Sequence, residues 1–130
     1  MRIEQASNFR LKEVDDRTVF LSGEDGSLFS VSALHKEIFR VCHRRKGSAQ
    51  MPETWMVTGA DGSVPLTGRA RDDLSRFEPV ESEMIVENDR FSIKTEALSV
   101  FSRISSPCLR WQDQFDRVLD EDLEELSYAY

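Results

Sequence analysis

The chain has 130 residues, of which 39% are hydrophobic, and its 24 acidic residues against 17 Lys and Arg give a net charge of −7. A chain of this length forms one domain with a sizeable core, and it is too short for a (β/α)₈ barrel, which takes about 250 residues. No apolar run approaches the roughly 20 residues of a membrane-spanning helix. The first residues lead into a polar stretch without the apolar segment of a secretory signal. These features predict a cytoplasmic protein with no membrane partner.

The negative charge is concentrated near the C-terminus. Residues 112–130 contain seven acidic residues and one basic residue, Arg117, whereas residues 1–111 are close to neutral. We therefore divide the chain into a body, 1–111, and an acidic C-terminal segment, 112–130. Such a charge distribution offers no positive field to a phosphate backbone, so nucleic acid is not expected as a partner. The one basic cluster, His43-Arg44-Arg45-Lys46, is typical of an exposed loop, with a phosphate contact as the alternative.

Short apolar runs separated by turn residues dominate the body. Asp25-Gly26 lies between two such runs and is a strong hairpin signal. Phe29, Val31 and Ala33 alternate with serines, which is the period of a half-buried strand. Predicted strands cover residues 17–21, 28–34, 38–42, 54–57, 84–86, 91–95 and 98–100, and residues 109–111 end the body. Frequent short strands predict an all-β, antiparallel β-sandwich, with the polar residues 63–83 as a connection.

The acidic segment has two interpretations. Phe115, Val118, Leu119, Leu123 and Leu126 are spaced as the apolar stripe of a helix. Residues 126–130 instead suggest the start of an edge strand. The residues leave the choice between a short helix and a strand open.

No catalytic, cofactor-binding or metal-binding pattern is visible. The only histidines are His35 and His43, and neither has the setting of a catalytic base. Cys42 and Cys108 lack metal-ligand spacing, and in a protein without an export signal two thiols are favoured over a disulfide. The carboxylates are numerous enough for a glycosidase-type acid pair, but none has a diagnostic context. We therefore predict no cofactor.

Two tryptophans are candidates for a sugar-stacking platform, since aromatic faces bind the apolar faces of sugar rings. Trp55 and Trp111 both lie within apolar runs, however, so core packing is the favoured interpretation. The predicted core consists of Phe20, Phe29, Val31, Phe39, Val41, Trp55, Ile93, Leu98, Val100 and Trp111.

The predicted connection, residues 63–83, contains three arginines of interest. Arg69, Arg71 and Arg76 have the chemistry of an anion clamp. Pairing with the nearby acids Asp72, Asp73 and Glu78 is the simpler interpretation.

Several segments, taken in order, resemble the N-terminal β-sandwich of glycoside hydrolase family 31, the α-glucosidase and α-xylosidase family. In that family an Ile-x-Arg-Val strand precedes a Thr-Trp strand, and an Ile-x-Thr-x-x-Leu hairpin leads to a Trp. The matching segments are Phe9-Arg10-Leu11, Gly26-Ser27-Leu28-Phe29-Ser30-Val31, Glu37-Ile38-Phe39-Arg40-Val41, Glu53-Thr54-Trp55-Met56-Val57, Gly68-Arg69-x-Arg71-x-x-Leu74-Ser75, Phe91-Ser92-Ile93-Lys94-Thr95 with Leu98-Ser99-Val100, Leu109-Arg110-Trp111 and Asp122-Leu123 with Ser127-Tyr128-Ala129-Tyr130.

The resemblance covers nearly the whole chain and implies a galactose-mutarotase-like sandwich that packs against a catalytic (β/α)₈ barrel. The family hydrolyses α-glycosidic bonds with retention, using two carboxylates that lie on the barrel. No catalytic residue is therefore carried over to this chain, which is expected to be inactive alone. The resemblance also implies that the chain is truncated before the barrel, with an open sheet edge that favours self-association.

Two other classes of protein remain as alternatives. A free-standing carbohydrate-binding module would place Trp55 or Trp111 in solvent, where α-linked oligosaccharides quench its fluorescence. A protein-interaction module would use the acidic segment to bind a basic partner in a salt-sensitive way.

Overall fold

The computed structural model describes residues 8–46, 74 and 77–122, and these residues form nine β-strands. The strands are β1 (Phe9–Val14), β2 (Thr18–Gly23), β3 (Leu28–His35), β4 (Ile38–Arg44), β5 (Glu83–Glu87), β6 (Arg90–Lys94), β7 (Leu98–Arg103), β8 (Arg110–Asp113) and β9 (Val118–Glu121). The first four form one antiparallel sheet and the last five form a second, each in chain order. The described part of the chain contains no helix, so none of its elements has the helical length and hydropathy of a membrane span.

The two sheets bury one apolar core between them, which confirms the predicted all-β sandwich. On β3, Phe29, Val31 and Ala33 are buried, as their alternation with serines predicts. The core also contains Phe9, Val19, Leu21, Phe91, Ile93, Val100, Ile104 and Leu109, with Phe39, Val41 and Trp111 packed against it. Both sheets contribute side chains to this single cluster, so the core is shared between them.

Polar contacts join the sheets at their ends. The Phe9 N–H donates to the Ser105 carbonyl over 3.0 Å, and the Thr95 hydroxyl donates to the Lys36 carbonyl over 2.5 Å. The buried Arg17 guanidinium donates through Nη2 to the carbonyls of Phe77 and Glu78, over 3.1 and 2.9 Å. Arg17 thereby fastens the segment that leads into β5 to the start of β2.

The β2–β3 and β8–β9 hairpins close with the same turn. In the first, the Gly23 N–H donates to Ser27 and the Gly26 N–H donates back to Gly23. In the second, the Asp113 N–H donates to the Arg117 carbonyl, and the Asp116 N–H donates to the Asp113 carbonyl. The equivalent residues Gly26 and Asp116 both have positive φ, 86° and 62°. An aspartate in this conformation is uncommon but tolerated, so the second hairpin forms without a glycine.

Two details differ from the sequence predictions, one open choice is decided, and one predicted strand lies outside the described residues. Residues 118–121 form a strand, which decides helix against strand there, while Leu123 and Leu126 lie outside the described residues. The predicted strand at 54–57 lies outside them too. Phe20 and Leu98, predicted as core residues, are half-buried and do not belong to the core cluster. His43 and Arg44 belong to β4 rather than to a loop. The last difference arises because His43 pairs with Phe29 across β3 and β4, where its ring is covered.

Candidate binding groove on the second sheet

The structure places Trp111 in the sandwich rather than on an exposed platform. Its indole lies on β8, half-buried, and meets the Phe39 ring edge-to-face with the ring centroids 5.5 Å apart. The contact joins the two sheets, because Phe39 belongs to β4. Trp55, Arg69, Arg71 and Arg76 lie outside the described residues.

The histidines and cysteines are dispersed. His43 packs against the rings of Phe9 and Phe29, with centroids 6.1 and 5.9 Å away, whereas His35 is exposed at the end of β3. Cys42 and Cys108 are both half-buried thiols rather than a disulfide. Within residues 8–46, 74 and 77–122, no three His, Cys, Asp or Glu side chains are grouped as a metal would require.

The second sheet carries an open groove of about 530 Å³ on the face turned away from the core. One row of cross-strand neighbours crosses all five strands and lines this groove: Ile85, Ser92, Phe101, Arg110 and Glu121. Directly opposed residues of an antiparallel sheet point to the same face. The strand neighbours Ile93 and Val100 point the other way, into the core, whereas Phe91 belongs to the core and also borders the groove. The row is therefore a continuous strip of mixed apolar and polar chemistry.

A second, shorter row borders the strip. Arg90 lies opposite both Glu87 and Arg103, and all three residues line the groove. Next to them, the Asp89 carboxylate accepts bonds from the Ser105 hydroxyl and N–H over 2.5 and 2.9 Å. These two bonds lower the pKa of Asp89; burial opposes them slightly, and Arg103 and Arg90 add to the lowering. Asp89 thus remains charged and holds the β5–β6 turn against the loop before β8.

The charges of the groove are balanced. Arg90, Arg103 and Arg110 face the acids Glu87, Glu121 and Asp122, and the Arg110 guanidinium lies 5.4 Å from the centre of the Phe101 ring. Asp122 has a structural role, because its carboxylate accepts a hydrogen bond from the Leu109 N–H over 2.8 Å. A groove with an aromatic ring, a hydroxyl and interspersed charges suits a neutral polar ligand better than a strongly charged one.

Two of the groove acids, Glu87 and Glu121, are poorly placed to act together in glycoside hydrolysis. Glu87 lies on β5 and Glu121 on β9, four inter-strand spacings apart. At about 4.8 Å per spacing this is on the order of 19 Å, against about 5–9.5 Å between the two carboxylates of a glycosidase. The arrangement can hold a ligand, but this acid pair cannot cleave a glycosidic bond.

Sequence reasoning predicted strands at β5, β6 and β7 but neither β9 nor the groove. Phe101 was the one sequence signal of an apolar outer face, because it follows the inward-facing Val100 and therefore points outward. Arg110 and Glu121 gave no comparable signal, because the strand that places Glu121 opposite Arg110 was not predicted.

Comparison with known proteins adds no family to these observations. No model of a protein family matches the chain, and no curated protein matches it.

Proposed function

We propose that this chain is the non-catalytic β-sandwich of a family 31 α-glycosidase, which braces the catalytic barrel and borders the substrate entrance. The observation that carries the proposal is the agreement between the resembling segments and the strands. Residues 9–11 lie in β1, 28–31 in β3 and 38–41 in β4, while 91–94, 98–100 and 110–111 lie in β6, β7 and β8. The segments thus supply both sheets of the sandwich that the resemblance implies.

The chemistry of the described surface supports a non-catalytic role. Glu87 and Glu121 are too far apart to act as a hydrolytic pair, and His43 is covered by aromatic rings. In this proposal the attacking carboxylate and the acid–base carboxylate belong to the barrel, and the sandwich supplies rigidity. Two packed sheets with a shared core are suited to that purpose.

The first test is enzymatic. The purified chain is expected to release no p-nitrophenol from p-nitrophenyl α-glucoside or α-xyloside above a buffer blank. A full-length family 31 enzyme, assayed in parallel, verifies the substrates. Turnover that copurifies with the chain through successive columns would show that the sandwich carries its own active site.

The second test is physical association. A family 31 barrel expressed without its own N-terminal sandwich is mixed with the chain and analysed by size-exclusion chromatography and thermal melting. We expect co-elution and a higher barrel Tm, because binding to the folded state stabilises it. An unrelated β-sandwich, such as an immunoglobulin domain, serves as the control. Separate elution with an unchanged Tm contradicts the bracing role.

The groove favours one alternative, a carbohydrate-binding module for α-linked oligosaccharides. The Phe101 ring offers stacking, while Ser92 and Arg110 lie on either side of it in the same row and offer hydrogen bonds. Titration with maltose, isomaltose and xylosyl oligosaccharides would then shift NMR amide signals along that row. Phe101→Ala should abolish the shifts, and Phe115→Ala, which removes an exposed ring outside the groove, should not. If the amide signals of the wild-type chain do not shift on titration, this alternative is ruled out.

A further inference from the structure

The β8–β9 hairpin exposes an apolar patch at the end of the second sheet. Phe115, Val118 and Leu119 are 66%, 54% and 59% exposed, and they lie within five consecutive residues. We call these three residues the hairpin patch. Single exposed apolar side chains are ordinary, whereas three large ones close together in sequence on one hairpin favour a contact surface.

The patch belongs to an ordered turn. The Asp113 carboxylate accepts the N–H groups of Phe115 and Arg117 over 2.8 and 3.0 Å, and the Arg117 Nε over 2.7 Å. The Arg117 guanidinium also lies 5.3 Å from the centre of the Phe115 ring. At the other end of β9, the Asp122 N–H donates to the Leu109 carbonyl over 2.9 Å. Both ends of β9 are therefore fastened to β8.

β9 is the last strand of its sheet. In the described part of the chain it pairs with β8 alone, and all four of its residues are exposed. The outer edge of such a strand presents backbone N–H and C=O groups that can pair with a further extended segment. The apolar side chains beside that edge supply the burial that makes strand addition favourable.

Charge determines which segment fits. Asp120 and Glu121 follow Leu119 directly along β9, and Asp116 lies between Phe115 and Val118. The hairpin contains two basic residues: Arg117 is bonded to Asp113, and Arg110 on β8 lies directly opposite Glu121. A second copy of this chain would add the same Asp120 and Glu121 to this edge, and like charges that come to lie directly opposite each other are destabilising. A segment that carries basic residues next to apolar ones would instead meet opposite charges.

We propose that the β9 edge binds an extended segment of a partner protein, in which two basic residues adjoin two β-branched apolar residues. In antiparallel pairing the basic residues lie opposite Glu121 and Asp120, and the apolar residues lie opposite Leu119 and Val118. Main-chain hydrogen bonds and apolar burial provide the affinity, and the acids select the partner and its direction. The proposal depends on the hairpin alone and holds whether or not the chain braces a barrel.

The test uses the full chain and a capped peptide with the sequence Thr-Lys-Arg-Val-Ile-Thr. On titration, the NMR amide signals of residues 115–121 are expected to shift, and the binding to weaken as salt is added. Leu119→Lys should weaken binding by about tenfold or more, because it removes apolar contact and repels the peptide. Ile38→Lys, at an exposed apolar position on β4, is the matched control and should leave binding unchanged.

A second variant and a second peptide guard against misfolding and unspecific charge attraction. Asp120→Asn with Glu121→Gln keeps the strand but should lose most of the salt dependence. A peptide with proline in place of valine keeps its charge but cannot pair as a strand, so it should not bind. The proposal is overturned if the proline peptide binds equally well, if the shifts fall outside the hairpin, if no shifts occur, or if the chain dimerises through residues 115–121.

Discussion

At the scale of single residues, His43 is a basic group in an apolar setting. Burial against Phe9 and Phe29 lowers its pKa from the usual 6.5; Asp25 partly opposes this, and Arg45 adds to it. In the unfolded chain the same imidazole takes up a proton near pH 6.5. As the pH falls below that value, the unfolded state gains protons that the folded state does not yet bind. Stability is therefore lost as the pH falls through 6.5 towards the lowered folded-state pKa.

We expect this loss to disappear in His43→Gln. The measurement is the decrease in Tm between about pH 7.5 and about pH 5.5, where a histidine of ordinary pKa changes charge. The wild-type chain should show a larger decrease than H43Q. His35→Gln, at an exposed position, should behave as the wild type. An equal decrease in wild type and H43Q would mean that another group causes the pH dependence.

Substitutions at Gly26 and Asp116, which occupy equivalent turn positions, are expected to change the free energy of unfolding in opposite directions. Both residues have positive φ, which costs an ordinary L-residue about 1–2 kcal/mol. Gly26→Ala should therefore destabilise the fold by about 1 kcal/mol or more, and its new Cβ would lie 2.8 Å from the Lys46 side chain. Asp116→Gly should stabilise the fold by about 0.5 kcal/mol. Urea denaturation measures both, and Asp116→Asn separates loss of charge from backbone relief. Effects of the same sign would show that the two turns are not equivalent.

At the scale of secondary-structure elements, Arg17 connects two parts of the chain that are far apart in sequence. Its guanidinium is buried and donates to the carbonyls of Phe77 and Glu78, about sixty residues away. Hydrogen bonds from a charged group contribute about 1.5–3 kcal/mol, and truncation removes both donors from the carbonyls of Phe77 and Glu78. Arg17→Ala should lower the free energy of unfolding by about 2–3 kcal/mol.

This prediction depends on the planar geometry of the Arg17 guanidinium, which directs paired N–H donors. A lysine at position 17 offers a compact ammonium group rather than a planar pair of donors, so Arg17→Lys should recover only part of the loss. Arg10→Ala, on the exposed side of β1, should change stability by less than about 0.5 kcal/mol. Urea denaturation of all three variants provides the comparison. A fully stable Arg17→Lys would show that charge alone holds the segment.

The elements also show where sequence reasoning succeeded. β3 and the β2–β3 hairpin were predictable because local signals coincide: alternation at Phe29 and Val31, and a glycine where the turn needs positive φ. The β8–β9 hairpin was missed because Asp116 takes that conformation without a glycine. The groove depends on register across five strands, which only tertiary pairing defines. His43 illustrates the same limit, since its basic neighbours suggest a loop and its burial depends on Phe9, far away in sequence.

At the scale of the whole molecule, the shared core predicts cooperative unfolding. Val31 on β3 and Val100 on β7 are both fully buried in one cluster that neither sheet completes alone. A sheet that separates from its partner exposes this apolar surface to water, so partial unfolding is strongly disfavoured. The far-UV circular dichroism of the strands and the tryptophan fluorescence should therefore follow the same urea transition.

Matched variants make the prediction decisive. Val31→Ala and Val100→Ala each remove buried methyl groups, one from each sheet, and should each lower the stability of the single transition by about 2 kcal/mol. Val118→Ala removes the same groups from a 54% exposed position and should cost less than about 0.5 kcal/mol. If Val31→Ala shifts only part of the circular dichroism change while the fluorescence midpoint stays fixed, the sheets unfold separately. A sandwich whose sheets unfold separately would transmit little stability to a barrel packed against one of them, so the proposed bracing role predicts cooperative unfolding.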